Sequence, residues 1–128
     1  MSIYDEAADK AKKQLDEISP TMCYAKWSQV SMHLTNGKTH SCYHPPTHSI
    51  DVNELKTNPS ALHNTKEKKE QRALMLKGER PEGCSYCWNI EDTGARSDRV
   101  YRSGEYWAQN AREEIKEAGA DGNINPRY

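Results

Sequence analysis

Apolar residues recur at helical spacing over residues 3–18, where Ala7, Ala8, Ala11, Leu15 and Ile18 share one face and Pro20 lies just past the end. That pattern predicts a narrow-faced amphipathic helix. From Cys23 the period changes. Trp27, Gln29, Ser31 and His33 alternate with Ser28, Val30, Met32 and Leu34, and Asn36-Gly37 follows, a dipeptide whose two positions both accept positive φ. The alternation and the turn together predict a β-hairpin over residues 24–43. Pro45 and Pro46 then stop any strand, so residues 44–50 read as loop.

Further along, Asp51 stands three residues before Glu54 in capping-box fashion and opens a short helical turn, and Asn58-Pro59-Ser60 marks a fresh start. A longer helix is predicted from Pro59 or Thr65 to Lys77, with Leu74, Met75 and Leu76 as its apolar end and Gly78 as its C-cap. Pro81 precedes Cys84-Ser85-Tyr86-Cys87, after which a short helix is predicted to end at Gly94, and a last helix over about 103–118 to close at Gly119. There is no internal repeat. The fold class these elements define is small α+β: a β-hairpin with three to four helices around one cysteine-ligated metal site.

Composition explains why a metal is expected at all. Leu, Ile, Val and Phe contribute 15 of 128 residues, below the ~20% at which a chain becomes a candidate for disorder. High net charge, the other mark of disorder, is missing, since 18 basic residues face 19 acidic ones for a net charge of -1. A small domain so short of aliphatic material needs a staple. The charge balance gives no footprint for nucleic acid and no reason to expect a membrane surface as partner. No apolar run is long enough to span a bilayer, and the first ten residues lack the apolar region of a secretory signal, so the default compartment is cytoplasmic.

The four cysteines fall into two pairs, Cys23 with Cys42 and Cys84 with Cys87. A C-x-x-C pair sets two sulfurs on one tight turn, and a hairpin beginning at Cys23 and ending at Cys42 brings its two mouths together. Two disulfides fit poorly with a reducing compartment. Four thiolates on one centre suit tetrahedral zinc or a 4Fe–4S cluster, and the ligand set alone does not choose between them.

Cys23 and Cys42, with Gly37 four residues before the second, resemble the opening signature of the SPASM and Twitch domains of radical SAM enzymes. The likeness continues through Asn58-Pro59-Ser60-Ala61-Leu62-His63-Asn64, the helix end Arg72...Met75-Leu76-Lys77-Gly78, and Arg80-Pro81...Cys84-Ser85-Tyr86-Cys87-Trp88-Asn89-Ile90-Glu91-Asp92. It covers about residues 22–128 and is similar to the N-terminal segment of Twitch-containing radical SAM proteins, many of them from phage and marine bacteria. The resemblance implies an auxiliary 4Fe–4S cluster on Cys23, Cys42, Cys84 and Cys87, serving electron relay or substrate positioning. It divides the chain into an N-terminal helix (1–20), a Twitch-like domain (21–120) and a tail (121–128) that in such proteins leads into the radical SAM barrel. The C-x-x-x-C-x-x-C triad that cleaves S-adenosylmethionine is absent from these 128 residues. The expected partner is therefore a radical SAM barrel protein or domain, with this chain a split product, a truncated relative or an auxiliary subunit that is no catalyst alone.

The remaining polar residues read plainly. His33, His40, His44, His48 and His63 are expected on loops and strands facing solvent, with a mixed Cys/His zinc site as the alternative. The run Lys66-Glu67-Lys68-Lys69-Glu70-Gln71-Arg72 reads as a solvated helix face held by i,i+3 and i,i+4 pairs. Trp27, Trp88 and Trp107 read as core or as shielding for the centre, Trp88 above all because it adjoins Cys87. Ser97-Asp98-Arg99 offers no derivable chemistry.

Overall fold

The structure, a computed structural model, describes residues 2–42 and 44–124. Helix α1 (Ile3–Ile18) starts at a capping box: the Ser2 hydroxyl accepts from the Asp5 amide at 3.1 Å, and the Asp5 carboxylate accepts from the Ser2 amide at 3.3 Å. Its inner face is Ala8, Ala11 and Leu15. So small a face lets a neighbour approach closely.

Residues 24–28 depart from the predicted hairpin. They form a short helix, α2 (Tyr24–Ser28), in which Tyr24, Ala25, Lys26 and Trp27 are all buried. A helix enclosed on every side has no polar face, and so shows no helical period to read. The hairpin itself is shorter, with β1 (Ser31–His33) antiparallel to β2 (Lys38–His40) and Met32 opposite Thr39. Its loop is four residues long: the Gly37 amide donates to the His33 carbonyl at 2.9 Å, and Gly37, at φ 68°, takes the left-handed conformation while Asn36 does not. Within the predicted loop 44–50, β3 (His48–Ser49) adds a third antiparallel strand on the far side of β2.

The capping signals were reliable. Asp51 caps α3 (Val52–Thr57), Asn58 caps a 3-10 turn (Pro59–Leu62), and Thr65 caps α4 (Lys66–Leu76). At the end of α4 the Gly78 amide donates to Met75 and the Glu79 amide to Leu74, with Gly78 at φ 78°, a Schellman ending. A 3-10 turn (Glu82–Cys84) leads into α5 (Ser85–Asp92), which stops before Gly94.

The last helix, predicted over about 103–118, is α-helical only in α7 (Ala111–Glu117), after a 3-10 turn (Tyr106–Asn110), and a separate helix, α6 (Asp98–Ser103), precedes it where none was predicted. The break follows Gly104, which lies so near α1 that a Cβ there would come within 3.0 Å of the Ala7 carbonyl oxygen.

Among the described residues the fold is a small α+β domain, a three-stranded antiparallel sheet with seven short α-helices. The core gathers around α2, which packs against α4, α6 and α7 and joins Trp27 and Tyr24 to Leu15, Met75, Trp88, Val100 and Ile115. Ile124 closes this core, and Asn125 to Tyr128 of the expected tail lie outside the described residues. No helix among the described residues is long and apolar enough to cross a membrane.

Candidate metal centre

Each cysteine stands where an element begins or ends. Cys23 caps α2, Cys42 follows β2, Cys84 caps α5 and Cys87 lies in the first turn of α5. None is in a disulfide; Cys23, Cys84 and Cys87 are buried and Cys42 is half-buried. All four line one cavity, together with Lys26, His44, Trp88, Arg99 and Arg102. Among the described residues no three His, Cys, Asp or Glu side chains stand close enough to hold a metal ion. The four thiols line the cavity without forming such a group.

Burial pushes the Cys23 thiol up to about 11 and the Cys87 thiol up to about 12, and the neighbouring thiols push the same way: Cys42 and Cys84 on Cys23, all three others on Cys87. Burial raises Cys84 as well. Opposing this are hydrogen bonds aimed at sulfur. The Lys26 amide serves Cys23, the Arg99 amide serves Cys87, and the Lys26 ammonium serves Cys84. An N–H donor at sulfur favours the thiolate, the form that binds metal. Burial nonetheless prevails at all three sulfurs, which stay thiols, and the four cysteines supply soft donors without standing close enough to form a metal site.

Three buried cations adjoin or back this cavity, where the sequence predicts none. Lys26 is 1% exposed, and its ammonium donates to the neutral Gln71 Oε1 at 2.7 Å. Lys68 and Arg72, expected on a solvated face, point inward and are each 1% exposed. Lys68 Nζ donates to Thr39 Oγ1 at 2.7 Å, while Arg72 donates to the carbonyls of Lys26, His63 and Gly122 and to Asn64 Oδ1. Burial, with Arg72 and Lys26 as neighbouring charges, holds Lys68 down to about 8. No carboxylate among the described residues pairs with any of the three. The spacing 68, 72, 75 carries a signal of this, since it puts both cations on the same helical face as the buried Met75. Nothing in the sequence marks Lys26.

Arg99 is buried too, but it is neutralised. Its guanidinium meets Glu91 at 2.6 and 2.8 Å and donates to the Met22 carbonyl at 2.7 Å. Burial alone would raise Glu91, and the hydrogen bond and charge of Arg99 outweigh it, leaving Glu91 below the usual carboxylate range. Trp88 forms the cavity wall beside Cys87, donating Nε1–H to the Pro81 carbonyl at 2.9 Å, with the guanidinium carbons of Arg80 and Arg99 at 5.2 and 5.4 Å from its ring. Trp27 is core, and Trp107 packs half-buried against it.

The histidines are more engaged than expected. Only His33 is exposed; His40 is buried, with Nδ1 at 2.5 Å from the Cys42 carbonyl and Nε2 at 3.0 Å from His33 Nε2. His44 meets Asp98 at 2.5 Å and stacks on Tyr86, and His48 meets Thr65 Oγ1 at 2.6 Å. His44 is the histidine on the cavity wall. Among the described residues, the two buried hydroxyls without a partner, Tyr24 Oη and Ser41 Oγ, belong to chain neighbours of Cys23 and Cys42.

No protein-family model, no curated protein and no solved structure matches this chain.

Proposed function

We propose that the chain is a 4Fe–4S cluster-binding module, an accessory part of a radical SAM system, with Cys23, Cys42, Cys84 and Cys87 as ligands. One observation carries the reading: four free thiols line a single cavity whose wall includes a fully buried ammonium with no carboxylate partner among the described residues. An uncompensated buried charge costs several kcal/mol. Four thiolates carry more negative charge than the metal core they hold carries positive charge, so a loaded centre is a net anion and supplies the missing compensation.

When bound, such a cluster supplies one-electron transfer. The chain's own residues do the rest. Lys26 and Arg99 amides orient the Cys23 and Cys87 sulfurs, Trp88 walls off water, and the Arg99–Glu91 pair holds α5 against Met22. The resemblance to Twitch domains supports a radical SAM barrel as partner and a reducing, cytoplasmic setting in which thiols stay free.

Purification without oxygen tests the proposal. Brown protein with about four irons and matching sulfide per chain is the expected result. Colourless protein with one zinc assigns the ligands to a zinc staple of an interaction module, and protein that takes up neither metal after anaerobic reconstitution overturns the reading.

A further inference from the structure

We propose that the groove between α1 and residues 103–108 binds a small organic carboxylate with an apolar body. The groove shares no lining residue with the cysteine cavity, so the proposal does not depend on the cluster reading. Ala7 and Ala11 of α1 form its floor with Gly104 and Ala108. Side chains this small on both sides leave about 470 Å³ of space, within the range of small-molecule sites. Over Ala7, Gly104 and Glu105 the groove continues into a hollow lined by Ile3, Tyr4 and Tyr106, which are 74%, 72% and 87% exposed. Large apolar side chains scattered singly on a surface need no explanation, but three gathered at one hollow mark a place of contact.

The polar groups of the groove decide the ligand. Tyr24 lines it at 2% exposure, and its hydroxyl has no hydrogen-bond partner. Its backbone is tied to the opposite wall, where the Tyr24 amide donates to Ser103 Oγ at 3.1 Å. A buried hydroxyl left unpaired carries a desolvation cost that an acceptor on a ligand recovers. Burial holds its titration above the ordinary tyrosine value, so it stays protonated and can donate. The groove is lined by one acid and one base. Glu105 is already spent, one oxygen on Arg102 Nη1 at 2.8 Å and the other on Trp107 Nε1, whereas Lys10 forms no ion pair among the described residues. An uncancelled ammonium and an unpaired O–H donor together suit a carboxylate, while a cation is repelled and an uncharged ligand leaves Lys10 idle. Lys10 and Tyr4 are six residues apart on α1, about 9 Å at 1.5 Å per residue. An arylalkanoic acid spans that distance, with its carboxylate at Lys10 and Tyr24 and its ring at Tyr4 and Tyr106.

The test is a titration of the isotope-labelled full chain with 3-phenylpropionate, followed by amide chemical shifts, with 3-phenylpropanol as the uncharged counterpart. Saturable shifts are expected at Ala7, Lys10 and Gly104, and the alcohol is expected to bind at least tenfold more weakly. Tyr24→Phe removes only the hydroxyl that has no partner, so its melting temperature should not fall while its affinity for the acid drops several-fold. Lys10→Gln, at an exposed position, should weaken binding likewise. The absence of saturable shifts in the groove, equal affinity for the alcohol, or parent-like affinity in either variant overturns the proposal. If Tyr24→Phe fails to fold, Lys10→Gln and the alcohol decide.

Discussion

Asn64 binds both backbone groups of Ile124: its Oδ1 accepts from the Ile124 amide at 2.7 Å and its Nδ2 donates to the Ile124 carbonyl at 2.9 Å. The same Oδ1 accepts from Arg72 Nη1 at 3.1 Å, and the side chain is fully buried. One amide thus joins the segment before α4, the inward guanidinium of α4 and the last described residues. Asn64→Leu keeps the volume but strands a buried N–H, a buried carbonyl and an arginine donor. We expect a loss of about 3 kcal/mol, read as a lowered unfolding midpoint, with faster amide exchange at Ile124. Unchanged exchange at Ile124 would contradict the tie.

Gly122→Ala tests the same junction from the other side. At φ 84° Gly122 is in the left-handed region, and a Cβ there would stand 2.2 Å from the Lys69 carbonyl oxygen and 2.9 Å from Arg72 Cβ. The backbone must shift, at a cost of about 2 kcal/mol or more. Gly37→Ala, also at positive φ but with open space around it, is the comparison and should lose about 1 kcal/mol. Equal losses would show that the close approach at Gly122 carries no cost of its own.

For the cavity, Cys42→Ser and Cys84→Ser should each lose bound metal and melt earlier, because metal-binding free energy is folding free energy in a domain so poor in aliphatic core. His44→Ala should keep the metal, since His44 is engaged with Asp98 and Tyr86. Metal analysis and thermal melts of the three variants decide. Metal lost from the histidine variant alone would transfer the ligand role from cysteine to histidine.

Lys68 gives a pH dependence with a definite sign. Its folded value near 8 is below the ordinary 10.5 of the unfolded chain, so the unfolded state binds more protons between those two values. Its penalty on stability is full below about 8 and fades as pH rises toward 10.5. Lys68→Met should therefore be more stable than the parent by about 1 kcal/mol at neutral pH, after allowing for the hydrogen bonds to Thr39 and Leu62 that it gives up. That advantage should shrink steadily through the alkaline window. Melts of both proteins from neutral to alkaline pH measure the difference, and a constant gap would remove Lys68 as its source.

Three helix starts were legible because their signals are local: Asp51, Asn58 and Thr65 each cap the backbone within three residues of themselves. Helix α2 was not, because four buried residues in succession present no period, and the break follows Gly104, which lies against Ala7, nearly a hundred residues away. The two cysteine pairs were visible as spacing. The cations beside them were not, since Lys and Arg belong to the surface by default and only long-range partners such as Gln71, Thr39 and Asn64 allow them inside.

The packing of Arg80, Trp88 and Arg99 bears on how the cavity fills. Both arginines flank the indole of α5, and each is held by a carboxylate of that same helix, Arg99 by Glu91 and Arg80 by Asp92. The wall bearing Cys84 and Cys87 is thus braced by contacts that involve no metal, whereas Cys23 and Cys42 come from elements on the other side. On the function proposed above, Cys84 and Cys87 would be presented to a metal by a wall already held in place without it.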